Sequence, residues 1–366
     1  MIIAGEASGD LHASGLATAL ARVRPDLSLT GVGGARMEAA GVTLLEQSDR
    51  MAVMGFVEVI RQVPRHYALL SALKRRLRSG RVALLVVIDY PGFNMKLAAA
   101  AAAAGVPVLY YITPQVWAWG AGRLSELARI VTRAAAILPF EEPLLRSHGI
   151  NASFVGHPLL DRIADMPDRD EARRMLGLRA DDTVLALFPG SRAQEIDRHL
   201  DAFVETARIL ERARPGLRVI VSAASTVTID PSRCPYPRVP SASFAVLRAA
   251  DAALCKSGTT TLEAAVAGCP LVVAYKTSPW TYAIARRVVK IPHIGLVNVV
   301  AGREVAREFV QDAVVPARVA ETLLPLLTPG DPIRTRMLDD LADVRSRLGT
   351  PGAADRVAAI ASELAA

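Results

Sequence analysis

The chain has 366 residues, 51% hydrophobic and 22% charged, so it can bury sizeable cores and is not of the disordered class. Its formal charge of +7 favours anionic partners, whether nucleotide, nucleic acid or acidic membrane, without choosing among them. Three cysteines with no C-x-x-C pair, and six histidines without ligand spacing, exclude a disulfide framework and a zinc site and point to a reducing, cytosolic compartment.

Short apolar runs alternate with helical patterns through the first half. Met1–Ala4, Leu27–Val32, Val42–Leu45, Val82–Ile88, Val106–Ile112 and Ala135–Leu138 predict strands. Gly9–Val23, Val57–Ser79, Phe93–Ala104, Gly122–Thr132 and Glu141–Ser147 predict helices. Nothing at the start reads as a signal peptide, and the low-charge stretch Leu97–Tyr111 is too short to span a bilayer. The protein is expected to be soluble or peripheral. Around Gly156–Pro167 the periodicity pauses, as in a linker. A second alternation follows, with strands at Thr183–Phe188, Leu217–Ser222, Asp251–Cys255 and Leu271–Tyr275. The Pro-rich segment Ala223–Ser243 reads as an irregular surface loop, and the chain from Pro316 onward as helical. The expected domains are 1–157, 158–315, and terminal helices 316–366 that either cross back to the first domain or exchange between protomers. Strand-helix alternation implies doubly wound parallel sheets, with ligands at the carboxyl ends of the strands.

Five stretches carry candidate chemistry. Thr183–Phe188 runs into Pro189-Gly190-Ser191-Arg192 and a helix from Ala193, a junction that offers backbone N–H groups and a guanidinium to an anion. Lys256-Ser257-Gly258-Thr259 repeats the junction, and Ser257 or Thr259 could equally be a helix cap. Glu263, one turn in, suits either a ribose contact or the helix dipole. Asp89, at the end of a buried run before Pro91-Gly92, can act as a general base if partly buried, or can cap the turn. Thr113-Pro114-Gln115-Val116-Trp117-Ala118-Trp119 places two tryptophans after a strand, in a loop or a core corner. Gly5–Asp10 is a third Gly-Ser turn, containing Ser8 and Gly9.

Several motifs fail. Gly31-Val32-Gly33-Gly34 lacks dinucleotide spacing, Gly190-Ser191 is no hydrolase elbow, and Asp168-Arg169-Asp170 suits a helix cap better than a metal clamp. The region Arg61–Arg81 combines Lys74, Arg75, Arg76 and Arg78 with Tyr67, Leu69, Leu70, Leu73 and Leu77. That pattern fits a helix lying on an anionic membrane, or a solvated basic face on a core-packed helix.

Together these stretches resemble the lipid-A-disaccharide synthase family, glycosyltransferases of the two-Rossmann-domain (GT-B) type. The matching segments include G-E-A-S-G-D at Gly5–Asp10, A-V-M-G-F-V-E-V at Ala52–Val59, I-D-Y-P-G-F-N at Ile88–Asn94 and P-Q-V-W-A-W at Pro114–Trp119. L-P-F-E at Leu138–Glu141, F-V-G-H-P-L at Phe154–Leu159, P-G-S-R at Pro189–Arg192, S-G-T-T-T-L-E at Ser257–Glu263 and N-V-V-A-G-R-E at Asn298–Glu304 extend them over most of the chain. The resemblance implies an α/β fold of two Rossmann-like domains facing a cleft. It implies β-1,6 transfer of diacylglucosamine from UDP-2,3-diacylglucosamine to 2,3-diacylglucosamine 1-phosphate, releasing UDP. Asp89 would be the base and Arg192 the diphosphate ligand. Ser8, Gly9, Gln115, Ser191, Ser257, Gly258, Thr259, Glu263 and Asn298 would contact substrate, and Lys74, Arg75, Arg76 and Arg78 the cytoplasmic face of the inner membrane. No metal, cofactor or nucleic acid is expected, and a homodimer stays open. Lys256 departs from the pattern, standing where a small residue is usual. The alternatives are a non-hydrolysing UDP-N-acetylglucosamine 2-epimerase and a non-catalytic nucleotide-sugar or lipid-binding protein at the membrane.

Overall fold

Runs such as Leu85–Ile88 and Val184–Phe188 are apolar at every position, because each lies in a parallel sheet covered on both faces. The computed structural model describes residues 1–48, 56–118, 120–224, 227–288 and 291–365, without the side chains of 56–63, 121, 284–285 and 288. Contacts divide the chain into two units, Met1–Asp161 with Gly349–Ala366, and Arg162–Leu348.

The first unit runs β1 (Ile2–Ala4), α1 (Ala7–Val23), β2 (Thr30–Gly33), α2 (Ala35–Ala39), β3 (Thr43–Gln47), α3 (Phe56–Leu77) and β4 (Leu85–Ile88). It continues through α4 (Pro91–Ala103), β5 (Val108–Tyr111), α5 (Leu124–Ile130), β6 (Arg133–Ala136), α6 (Glu141–Ser147) and β7 (Ala152–Phe154). All its strands are parallel, in the order β3-β2-β1-β4-β5-β6-β7. Side chains alternate between two cores. Ile3, Val87 and Tyr110 pack with Leu70, Leu73 and Leu77 of α3, whereas Ile2, Val86 and Tyr111 pack with residues of α1.

The second unit contains α7 (Arg169–Met175), β8 (Val184–Phe188), α8 (Ala193–Ala213), β9 (Arg218–Ala223), β10 (Arg238–Pro240), α9 (Ser243–Ala249), β11 (Ala252–Cys255) and α10 (Thr260–Ala267). It closes with β12 (Leu271–Tyr275), α11 (Pro279–Val288), α12 (Leu296–Ala301), β13 (Glu308–Val310), α13 (Pro316–Leu326) and α14 (Pro332–Arg347). Its parallel sheet has the order β10-β9-β8-β11-β12-β13. A buried ion-pair node joins α7 to this sheet. Asp251 accepts from Arg169 at 2.6 Å, Arg173 at 3.2 Å and the backbone N–H of Val184 at 2.8 Å.

Of the C-terminal helices, α13 packs on α8 and α14 on α10. The last helix, α15 (Ala353–Leu364), returns to the first unit and packs along α1. The Asp161 carboxylate accepts from Gly352 N at 2.6 Å, Ala353 N at 3.1 Å and Ala354 N at 3.3 Å, capping that returning helix.

Six elements escape the sequence pattern: α2, α11, α12, β7, β10 and β13. The strands among them are three residues each, too short to show alternation, and all three lie at sheet edges. The Ala223–Ser243 segment needs correction. It contains edge strand β10, which tolerates Pro240, and it buries Ile229 and Cys234. Asp168 does cap α7, accepting from Glu171 N at 2.8 Å. The matched stretch 52–55 and Trp119 lie outside the described residues.

Candidate active site

In each sheet the strand order reverses between two neighbours, β1 and β4 in the first unit and β8 and β11 in the second. Crevices at the carboxyl ends of such a pair are where open α/β sheets hold ligands. The singled-out turns fall there: Gly5–Gly9 and Asp89–Gly92 in one unit, Gly190–Arg192 and Lys256–Thr259 in the other.

At the end of β4 the backbone is strained. Asp89 and Tyr90 have φ of +46° and +49°, and Ile112, at the end of the adjacent β5, has φ of +60°. Non-glycine residues seldom adopt this conformation, and such outliers persist only where surroundings hold them. Here the Asp89 carbonyl accepts from Asn94 Nδ2 at 2.7 Å and from the Tyr110 hydroxyl at 3.0 Å. Asn94 is fully buried and its amide also reaches the Ile88 carbonyl at 3.1 Å. Burial pushes the Tyr110 hydroxyl far above its ordinary range, so it remains a donor. Asp89 itself is exposed, so the partial burial on which its sequence reading as a general base depends is absent. The N-cap position of α4 belongs to Tyr90.

The loop after β5 is tied to the loop after β6 by a carboxylate. Glu141 is 3% exposed and accepts from Trp117 Nε1 at 3.1 Å, Leu138 N at 3.0 Å and Ile137 N at 3.2 Å. Burial pushes its carboxyl up to about 7 against the opposing effect of these donors. Trp117 also meets Phe140 edge-on, with centroids 5.2 Å apart. Trp117 is therefore a packed corner, while Gln115 in the same loop is exposed. Of the first turn, Ser8 is exposed and Gly9 buried. Asp10 beside them serves the fold, accepting from Gly34 N at 2.7 Å, Met37 N at 3.1 Å and Arg36 N at 3.2 Å.

In the second unit the two turns use glycine where the first uses strain. Gly190 and Gly258 have φ of +147° and +148°. A Cβ on Gly190 would stand 2.4 Å from the Glu195 Cβ. The backbone N–H groups expected to await an anion already have one. Glu195 Oε2 accepts from Ser191 N at 2.8 Å and Arg192 N at 3.3 Å, while Oε1 meets Lys256 Nζ at 2.9 Å. Burial pushes the Glu195 carboxyl up, but Lys256, the Ser191 amide and Arg192 outweigh it and hold it below the usual range. The Arg192 guanidinium is largely exposed, 3.9 Å from Glu195. The unusual Lys256 thus joins two switch-point turns through an ion pair.

Three other expected contacts are engaged within the protein. The Ser257 hydroxyl donates to the Ile294 carbonyl at 2.7 Å. Glu263 pairs with Arg162 at 3.6 Å, and burial, stronger than that pairing, raises its carboxyl above the usual range. Asn298, expected to touch substrate, is a correction. It is 0% exposed, donates to Ala306 O and Glu308 Oε1, and accepts from Val305 N and Ala306 N. All four of its hydrogen-bonding positions are taken, so it holds the loop before β13. Thr259 stands at the N-cap of α10 without a side-chain cap bond. On α3, Leu70, Leu73 and Leu77 belong to the core, which leaves Arg75 and Arg76 on the exposed face, Lys74 half-buried and Arg78 exposed just beyond the helix. The sequence singles out none of Asn94, Tyr110, Glu141 and Glu195 individually, although Asn94 and Glu141 close matched segments, because the bonds they make are set by the fold.

The sequence matches the lipid-A-disaccharide synthetase family over residues 1–348. It is 43% identical over 373 residues to the lipid-A-disaccharide synthase of Syntrophus aciditrophicus, covering 100% of this chain and 97% of that one. It is 42% identical over 367 residues to that of Trichlorobacter lovleyi, covering 98% of this chain and 96% of that one. Its fold is similar to the calicheamicin glycosyltransferase CalG4, with TM-score 0.63, 15% identity and coverage of 99% and 97%. A UDP-GlcNAc 2-epimerase from Neisseria meningitidis gives TM-score 0.57, 10% identity and coverage of 99% and 98%. Identity this low to the solved structures speaks for the two-sheet, Rossmann-type architecture alone, whereas the full-length matches above 40% show that this chain belongs to the lipid-A-disaccharide synthase family of glycosyltransferase enzymes.

Proposed function

We propose that the chain joins diacylglucosamine from UDP-2,3-diacylglucosamine to the 6-hydroxyl of 2,3-diacylglucosamine 1-phosphate, with inversion and release of UDP. Asp89 takes the hydroxyl proton, the oxygen attacks the anomeric carbon, and the bond from that carbon to the diphosphate oxygen breaks. One base and a stabilised leaving group suffice, without a covalent intermediate. Arg192 binds the diphosphate, and with the N-terminus of α10 it offsets the charge that develops on UDP, with no metal ion required. Ser191, Gly258 and Thr259 contact the donor from the same turns, with Ser8, Gly9 and Gln115 contributing from the first unit. The acylated substrates would be met at the cytoplasmic face of the inner membrane, where Lys74, Arg75, Arg76 and Arg78 suit anionic lipid.

The observation that carries this proposal is Asp89, held left-handed by Asn94 and Tyr110 at the switch point of its sheet. Strain maintained by two buried donors is the mark of a placed side chain. The test is UDP release by purified protein given both acyl-sugars in detergent with EDTA, comparing wild type and Asp89→Asn. Acceptor-dependent release that persists in EDTA and falls about a thousandfold in the variant supports the base. Release unaffected by the variant removes Asp89 as base. Absence of release with wild type, together with conversion of separately supplied UDP-N-acetylglucosamine to its 2-epimer, would replace transfer by epimerisation.

A further inference from the structure

Strand β12 ends at Tyr275, and the chain enters α11 through a closely specified turn. The Ser278 hydroxyl accepts from Thr281 N at 3.2 Å, and Pro279 opens the helix. The Gln311 side chain clamps the turn from below, accepting from Thr277 N at 2.6 Å and donating to Thr277 O at 3.1 Å. These bonds set where the helix starts and place Trp280 in its first turn.

Trp280 is 83% exposed, the most exposed large hydrophobic among the described residues. An indole is among the largest apolar groups a chain can bury, and its N–H suits a boundary between apolar and wet surroundings. One to two turns on, the Arg286 guanidinium lies over the half-buried Tyr282 ring, 5.9 Å from its centroid, and Arg287 is exposed. The sequence from Ala264 to Arg303 holds no Asp or Glu, while it contains Lys276, Arg286, Arg287, Lys290 and Arg303. An aromatic tip beside cations in a stretch without acids is complementary to an anionic interface. A second copy of this chain docking here by two-fold symmetry would set like charges together, which disfavours self-association through this end.

We propose that the Trp280 end of α11 docks on an anionic lipid surface, with the indole at headgroup depth and Arg286 and Arg287 against lipid phosphates. This contact belongs to the second unit and is separate from the basic residues of α3. The reason a lipid surface should be nearby rests on the acylated-substrate proposal above, whereas the exposure and the charge do not. β12 stands beside β11 in the sheet, so α11 leaves from the same carboxyl edge that carries the diphosphate turns.

The experiment is co-sedimentation of the full chain with phosphatidylglycerol-containing vesicles and with phosphatidylcholine vesicles, together with tryptophan emission. Wild type should bind the anionic vesicles with a blue shift that Trp280→Ala abolishes. Arg286→Gln and Arg287→Gln should each lower the partition coefficient about fivefold, the scale of one cation at an anionic surface. Circular dichroism and UDP binding, measured in parallel, should match wild type, since Trp280 supports no core. Vesicle binding by Trp280→Ala equal to wild type would overturn the docking proposal. So would a concentration-dependent dimer that Trp280→Ala dissolves while vesicle binding persists. Loss of UDP binding in the wild type would instead count against the transferase proposal and leave the vesicle result to stand by itself.

Discussion

The same topological position is built in opposite ways in the two units. At the β1/β4 switch point the turn consists of non-glycine residues forced left-handed, with Asp89 and Tyr90 held by hydrogen bonds from Asn94 and Tyr110. At the β8/β11 switch point the positive φ values fall on Gly190 and Gly258, which adopt them without a side-chain penalty. The difference matches the two tasks proposed for these turns. A turn that must present one carboxylate needs a side chain and accepts strain to aim it. A turn that must bring backbone N–H groups close to an anion is better without a Cβ. In the second unit the anion-facing groups are closed by Glu195, which Lys256 in turn neutralises.

In the second unit Arg192→Ala should lose about 3 kcal/mol of transition-state stabilisation, the scale of one missing oxyanion donor. Steady-state kinetics decide this, and a fall in kcat/KM of less than about tenfold would rule out the diphosphate role. Gly190→Ala tests the glycine half of the contrast. The new Cβ meets Glu195 at 2.4 Å in a backbone conformation that disfavours it. A loss of about 2 kcal/mol in urea unfolding is expected, with weaker UDP binding. Unchanged stability would mean the turn relaxes without cost.

Asn94→Ala tests the strained half. Removing the amide takes one donor from the Ile88 carbonyl and one from the Asp89 carbonyl. A stability loss of about 1.5 kcal/mol should accompany a kcat about tenfold lower at nearly constant KM. Equal effects on kcat and on KM would assign Asn94 to general folding instead. The smallest effect concerns Glu141, whose folded carboxyl sits at about 7. Its raised value means the protonated form is favoured in the fold. That contribution to stability is complete below the ordinary carboxyl range and is lost as pH rises through about 7. Melting temperature should therefore decline by a few degrees between about pH 5 and 8, and Glu141→Gln should flatten that slope. A slope identical in the variant would assign the titration to another group.

Much of this was legible in the chain, for identifiable reasons. Buried parallel strands such as β8 and β11 are uninterrupted apolar runs, and their Gly-Ser turns sit in plain view. Helix α6 matches its expected bounds to the residue, and α8 begins at the expected Ala193, because apolar spacing and turn residues agree there. Edge strands β7, β10 and β13 left no such trace. Asn298 misled because a polar residue in a matched motif reads as a ligand contact until its four buried hydrogen bonds are known. The α3 leucines were equally ambiguous, since an amphipathic face looks alike against lipid and against a core.

The sequence by itself determined the alternation of strand and helix, the family, and the turns that carry Asp89 and Arg192, because periodicity and motif order are local properties. Tertiary structure alone decided the strand orders that put those turns at switch points. It also decided that α15 returns to the first unit, that Glu195 rather than solvent meets the N–H groups of the Gly190 turn, and that Asn94 and Tyr110 hold Asp89. The strand orders, the return of α15 and the Tyr110 bond depend on residues far apart in the chain, whereas the Glu195 and Asn94 bonds span only three to five residues and depend on turn geometry that side-chain pattern does not display.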